Sequence, residues 1–171
     1  MSTTLLQEHE ALRPVIYELG AAVYLSQQLE TSLLCLVAIL RPQGNMVNYD
    51  SIKDGLSHRA KSTLGTLLKE FRDKLPIPAN YAAFIKEGVD ARNYVVHGFL
   101  NKNHEKLLTA QGRVEIVEEL RDLQHVVNDR LMAVNQLVNA ALKVFGGSLE
   151  NIRKDVAFRF EPDEVDFITR H

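Results

Sequence analysis

The chain has 171 residues, enough for one domain with a real hydrophobic core. Apolar residues make up 46% and charged residues 25%, as in an ordinary soluble globular protein, and the formal net charge is −2. That balance leaves no global basic field, which argues against nonspecific coating of DNA, so any polyanion site must be local or be built by two chains together.

Met1-Ser2-Thr3-Thr4 lacks the charged-then-apolar form of a signal peptide. The longest unbroken apolar run, Leu33 to Leu40, falls short of the roughly 20 residues that cross a bilayer. A single cysteine, Cys35, sits inside that run as a small hydrophobe and suits a reducing compartment. These features predict a cytoplasmic protein with no membrane association.

Residues 3–40 read as helix, with apolar positions at three- and four-residue steps from Leu12 through Val15, Ile16, Leu19 and Val23 to Leu40. Pro14 marks a start or a kink, so Leu5–Arg13 is expected as a separate short helix and 14–40 as the main one. Toward Leu33–Leu40 the helix is apolar on nearly every side, which places that end centrally. Arg41-Pro42-Gln43-Gly44-Asn45 ends it in a loop running to about Tyr49. Asp50 or Ser51 caps a second helical region, which Gly55 and Ser57 are expected to break. From His58 to Lys74, Leu64, Leu67, Leu68, Phe71 and Leu75 form an apolar face. The other face carries more cations than carboxylates, and reads either as a solvated surface or as one wall of a polyanion groove.

Leu75-Pro76-Ile77-Pro78 is a rigid connector. Asn80 is the expected cap of a helix over about 80–98, with Tyr81, Phe84, Ile85, Val89, Val95 and Val96 as its apolar set and Gly98 as its end or bend. A short segment, Asn101 to Leu108, follows. Gln111-Gly112 reads as a break, and a long helix over about 113–145 carries Val117, Leu120, Leu123, Val127, Leu131 and Val134 on one face. Gly146-Gly147-Ser148 ends it. Residues 148–171 are polar with scattered aromatic and aliphatic positions. The expected organisation is a helical domain over 1–147 and a C-terminal tail, 148–171, packing on it. Strand alternation and internal repeats are lacking, so the fold class is all-α, an up-and-down helical bundle of about four to five helices.

Several chemistries find no residues to carry them. The chain has no glycine-rich phosphate loop after a strand, no nucleophile elbow and no HExxH. Glu8-His9-Glu10 splays around a helix axis and makes a poor chelator, and the other histidines do not pair at metal-ligand spacing. Arg121 and His125, one turn apart, read as surface. Neither a metal nor a cofactor is expected.

One stretch resists an ordinary structural explanation: Arg92-Asn93-Tyr94-Val95-Val96-His97-Gly98. A histidine exchanges protons near neutrality, an arginine forks onto phosphate oxygens, and an amide can hold either partner in place. On a regular helix, positions five apart differ by about 140° around the axis and about 7.5 Å along it, so Arg92 and His97 do not share a face, whereas Asn93 and His97 do. Either the helix distorts near Gly98, or a second copy of the chain supplies the missing group. Brought together, the three suit metal-free RNA cleavage: a ribose 2′-hydroxyl attacks the adjacent phosphate, His97 moves a proton, and Arg92 stabilises the charge that develops. The competing reading is structural, with Arg92 in an ion pair and His97 near a helix C-terminus, in a module that binds a protein or a nucleotide without cleaving it.

Arg92-Asn93-Tyr94-Val95-Val96-His97 resembles the Rx4–6H motif of the HEPN superfamily, in the form with asparagine directly after the arginine. Lys61-Ser62-Thr63-Leu64-Gly65-Thr66-Leu67-Leu68 is similar, less specifically, to a stretch of bacterial HEPN-like proteins. The resemblance implies a helical bundle and a metal-independent endoribonuclease of the kind found in toxin–antitoxin, phage-defence and RNA-processing systems. It also implies a homodimer whose two motifs line one cleft, and an antitoxin or other regulatory protein as a further partner. It assigns catalysis to Arg92 and His97 with support from Asn93. Candidate RNA contacts are His58, Arg59, Lys61 and Tyr94.

Overall fold

Apolar residues at alternating steps of three and four favour helices, and five form among the described residues: α1 (Thr3–Ile39), α2 (Tyr49–Arg59), α3 (Ala79–Asn93), α4 (Phe99–Asn103) and α5 (Ala110–Val144). A π-helical turn, Tyr94–Gly98, joins α3 to α4, and a 3₁₀ turn, Lys106–Leu108, precedes α5. The computed structural model describes residues 3–40, 49–59, 65–66, 69–70, 73, 78–144, 147–148, 150–152 and 154, without the side chains of 3–9, 49, 51, 56, 58 and 59. The fold is all-α, with the two long helices α1 and α5 packed together.

Four expected boundaries move, each for a local reason. First, α1 is one helix that runs through Pro14. The proline removes one N–H bond, and the buried stripe that begins at Val15 outweighs it. Second, α2 runs through Gly55 and Ser57. Gly55 is buried because a Cβ there would lie 2.7 Å from Ala38 Cβ, and Ser57 Oγ donates back to the Lys53 carbonyl at 2.9 Å instead of capping a new helix.

Third, the cap of α3 is Pro78 and not Asn80; its carbonyl accepts the N–H groups of Tyr81 and Ala82, and its fixed φ sets the entry of the chain. Fourth, Gln111-Gly112 lies inside α5. Thr109 Oγ1 accepts the Gly112 N–H at 3.0 Å as an N-cap would, and Gly112 is buried because any Cβ would overlap the Lys106 carbonyl. Past α5, the Gly147 N–H donates to the Leu142 carbonyl, and Ser148 Oγ caps the turn that follows. Most of the expected helix over 58–74 and most of the tail lie outside the described residues.

Packing divides the chain into two compact units, Met1–Thr31 with Ile77–Ala133, and Ser32–Pro76 with Val134–His171. In the first, Val15, Ala22 and Leu29 of α1 are buried, as are Ile85 and Val89 of α3, Phe99 of α4, and Ile116, Leu120 and Val127 of α5. Fully burying each large aliphatic or aromatic side chain stabilises the fold by about 1.5–3 kcal/mol. Helix α5 runs parallel to α1, since Glu18 meets Arg121 and Gln124 while Leu25 borders Asn128. Helix α3 runs opposite to α5, since Tyr81 donates to the Ala133 carbonyl and Glu87 pairs with Arg130. Gly88 lets α3 come close: a Cβ there would lie 2.7 Å from Arg130 Cβ and 3.2 Å from Leu29 Cδ2. In the second unit, Leu33, Leu36, Val37 and Ile39 of α1 are buried with Val134, Ala141 and Leu142 of α5, and Ser32 Oγ donates to Asn135 Oδ1 at 2.8 Å. Cys35 is half-buried there, and burial pushes its thiol above the ordinary value.

Counted over its whole length and not over its longest apolar run, α1 is long and apolar enough from Glu10 to Ile39 to cross a membrane. The helix also does what a core helix does: it buries Leu29, Leu33 and Leu36 completely and holds Glu18 and Glu30 in ion pairs.

The Glu18 carboxylate accepts from Gln124 Nε2 at 2.8 Å and from Arg121 Nε at 2.9 Å. The Gln124 bond first, then the Arg121 bond, hold it below the ordinary glutamate value against the opposing effect of burial. A carboxyl whose folded value is depressed contributes stability that is complete above its unfolded value and is lost as pH falls through the folded one. Glu18→Gln therefore flattens the acid limb of stability in thermal melts taken from about pH 7 down to about pH 3. An acid limb as steep as that of the wild type contradicts this role for Glu18.

Candidate functional site

The inner stripe of α3, Ala82, Ile85 and Val89, leads three residues on to Arg92, which is 15% exposed. Past it the helical ladder widens. The Phe99 N–H donates to the Tyr94 carbonyl five residues back, and the buried stripe resumes as Val95, Phe99 and Asn103. Such wide turns insert one extra residue and recur at functional sites. Gly98 fits here because the Tyr94 ring lies against it; a Cβ would meet Tyr94 Cδ2 at 3.2 Å. Gly98 does not end the helix, which continues to Asn103.

The wide turn rotates His97 back toward Arg92. Arg92 Nη1 donates to Asn93 Oδ1 at 3.0 Å and lies 3.4 Å from His97 Nε2. One chain thus brings together all three residues that the sequence singles out. A guanidinium only donates, so a hydrogen bond across this distance needs His97 Nε2 as its acceptor. Asn93 and His97 are exposed, and His97 borders a pocket of about 270 Å³ walled by Leu19 and Val23 of α1 and by Val96 and Leu100.

The other end of the guanidinium is held by a residue that the sequence reading did not single out. Arg92 Nη2 donates to Glu30 Oε2 of α1 at 2.5 Å, and the Glu30 side chain is 28% exposed. Arg92 Nε is buried and finds no partner among the described residues. The sequence did carry a signal for this pair. Glu30 directly follows Leu29 on the edge of the α1 stripe and Arg92 lies on the α3 stripe, and charges at such positions need each other.

Tyr94 is placed elsewhere. Its hydroxyl donates to Glu119 Oε1 at 2.6 Å and accepts from Asn103 Nδ2 at 3.2 Å. Its ring packs edge-on to Phe99, with Lys102 Nζ 5.0 Å from the ring centre. Burial, then the bond to Glu119, raise the phenol above its ordinary value, and the Asn103 bond opposes them. Among the other candidate contacts, His58 and Arg59 close α2, but their side chains and the whole of Lys61 lie outside the described residues. Among the described residues no group of three metal-ligating side chains could hold an ion.

Compared with known protein families, with curated proteins and with solved structures, the chain matches none. The resemblance noted above therefore rests on the motif itself and on its setting in a helical chain.

Tyr94→Phe removes the donor to Glu119 and the acceptor for the buried Asn103 amide. The expected loss is about 1–2 kcal/mol in denaturant unfolding, with His97 still able to accept from Arg92. A variant as stable as wild type contradicts the structural role given to this hydroxyl.

Proposed function

We propose that this chain is a metal-independent endoribonuclease of HEPN type. The observation that supports this reading is that Arg92 lies within hydrogen-bonding reach of both Asn93 and His97 at an exposed site. The substrate is RNA, because the nucleophile is its own 2′-hydroxyl. His97 takes that proton at Nε2 once a substrate phosphate draws the Arg92 donor away from the ring. The oxygen attacks phosphorus, Arg92 and the Asn93 amide meet the charge on the phosphate, and a proton returns to the departing 5′-oxygen. The products are a 2′,3′-cyclic phosphate and a 5′-hydroxyl. The bundle is up-and-down, and the active species is a homodimer. Val96 and Leu100, both exposed beside His97, suit a second copy that lines the cleft with another motif. A toxin of a toxin–antitoxin or phage-defence system, restrained by an antitoxin, fits this activity.

A second reading is favoured by one observation. The Glu30 ion pair gives Arg92 a structural role, as in a non-catalytic helical module that binds a protein partner or a nucleotide. His97 separates the two readings, since it is exposed and its loss leaves the ion pair intact. Mixed RNAs incubated in EDTA with wild type acquire cyclic-phosphate and 5′-hydroxyl ends, DNA survives, and His97→Ala lowers cleavage by about 10³-fold without lowering the melting temperature. RNA left intact by wild type with and without EDTA contradicts the nuclease reading.

A further inference from the structure

The guanidinium of Arg92 is held from two sides. Nη1 faces the exposed pair Asn93 and His97, while Nη2 meets Glu30 of α1, 62 positions away in the chain. Arginine stays charged in proteins, and a cation only 15% exposed requires a counter-charge. Asn93 offers an amide oxygen and His97 a ring nitrogen, neither of them an anion, so among the described contacts of Arg92 the carboxylate of Glu30 is the one full negative charge. With Nη2 fixed there, the planar fork has little freedom left, and Nη1 is turned toward His97.

We infer that Glu30 is the positioning residue of this site: it anchors Arg92 from α1, and through Arg92 it fixes His97 with an unprotonated Nε2 and a protonated Nδ1. This rests on the nuclease reading only for its catalytic consequence, since the state of the ring is a property of the free protein. Glu30 touches neither His97 nor a substrate in this arrangement, and it acts through the guanidinium alone. This anchoring accounts for the place of the motif arginine on a buried stripe and not on the open face beside His97. A guanidinium tied at its far end offers donors to an incoming phosphate without first losing side-chain freedom.

Long-range proton–nitrogen NMR of the imidazole, with ¹⁵N-labelled protein, tests this directly. In wild type, His97 Nε2 gives the shift of a bare ring nitrogen and Nδ1 that of a protonated one; the opposite pattern, or no preference, overturns the inference whatever any variant does. Glu30→Ala abolishes the preference and lowers kcat about a hundredfold with KM within about threefold. Glu18→Ala, which breaks the ion pair that ties α1 to α5 in the same unit, keeps both the ring pattern and kcat. Glu30→Gln retains an acceptor without the charge and lowers kcat about tenfold, and it carries the test if the alanine variant does not fold. A Glu30→Ala protein with the wild-type ring pattern, or a Glu30→Gln protein with wild-type kcat, overturns the role. If wild type leaves RNA intact, the nuclease reading fails, and the ring pattern of wild type and Glu30→Ala still decides what Glu30 does.

Discussion

A π-helical turn, Tyr94–Gly98, sets the register of the functional region. The Phe99 N–H reaches the Tyr94 carbonyl five residues back, where a regular helix would pair it with Val95. The widened turn adds one residue to the helix, so the inner stripe that runs Ala82, Ile85, Val89 and Arg92 continues as Val95, Phe99 and Asn103. Val96 is left exposed and His97 is turned toward Arg92. Wide turns are rare departures from the α-helix and carry a cost. Here, complete burial of Phe99, worth about 2–3 kcal/mol, and its edge-on contact with Tyr94 at 5.7 Å offset that cost.

The charges of the first unit follow from the same stripe logic. Along α1, Glu18, Ala22, Ser26 and Glu30 recur every four residues, and such residues form one row on a helix. The two small members are almost fully buried. The two carboxylates at the ends of the row reach different helices: Glu18 takes Arg121 and Gln124 of α5, and Glu30 takes Arg92 of α3. Arg92, Glu30 and Glu18 are each largely shielded from water, so removing the partner of any of them leaves a charge that the fold has already desolvated, whereas Arg121 is well exposed. Only the Glu30 pair extends to an exposed histidine. That difference separates a tie that holds helices from one that also orients a reactive group.

Much of this fold was legible from periodicity. The stripes of α1 and α5 follow from leucines and valines at three- and four-residue steps, and the buried set includes Val15, Leu29, Leu33, Leu120, Val127 and Val134 as expected. Ile16 matches the same pattern but is more than half exposed, because it lies beside the stripe and not on it. Breaks expected at Pro14, Gly55 and Gly112 did not form, since each lies where tertiary packing overrides a local preference, and the two glycines are required by close approaches to Ala38 and Lys106. The motif residues were legible by chemical type, and a helix distorted near Gly98 was one of two ways seen to unite them. An i→i+5 hydrogen bond has no sequence signature of its own. Glu30 was the less legible partner: its place beside Leu29 marks a charge at the edge of a buried stripe, but the counter-charge lies 62 residues away and local sequence does not say which cation it is.

The wide turn is the element on which the proximity of Arg92 and His97 depends. Scalar coupling across hydrogen bonds, read by NMR between amide nitrogen and carbonyl carbon, tests it most directly. The account predicts that the Phe99 nitrogen couples to the Tyr94 carbonyl carbon. Coupling to the Val95 carbonyl instead would show a regular helix, place Arg92 and His97 about 140° apart on it, and contradict the site as described.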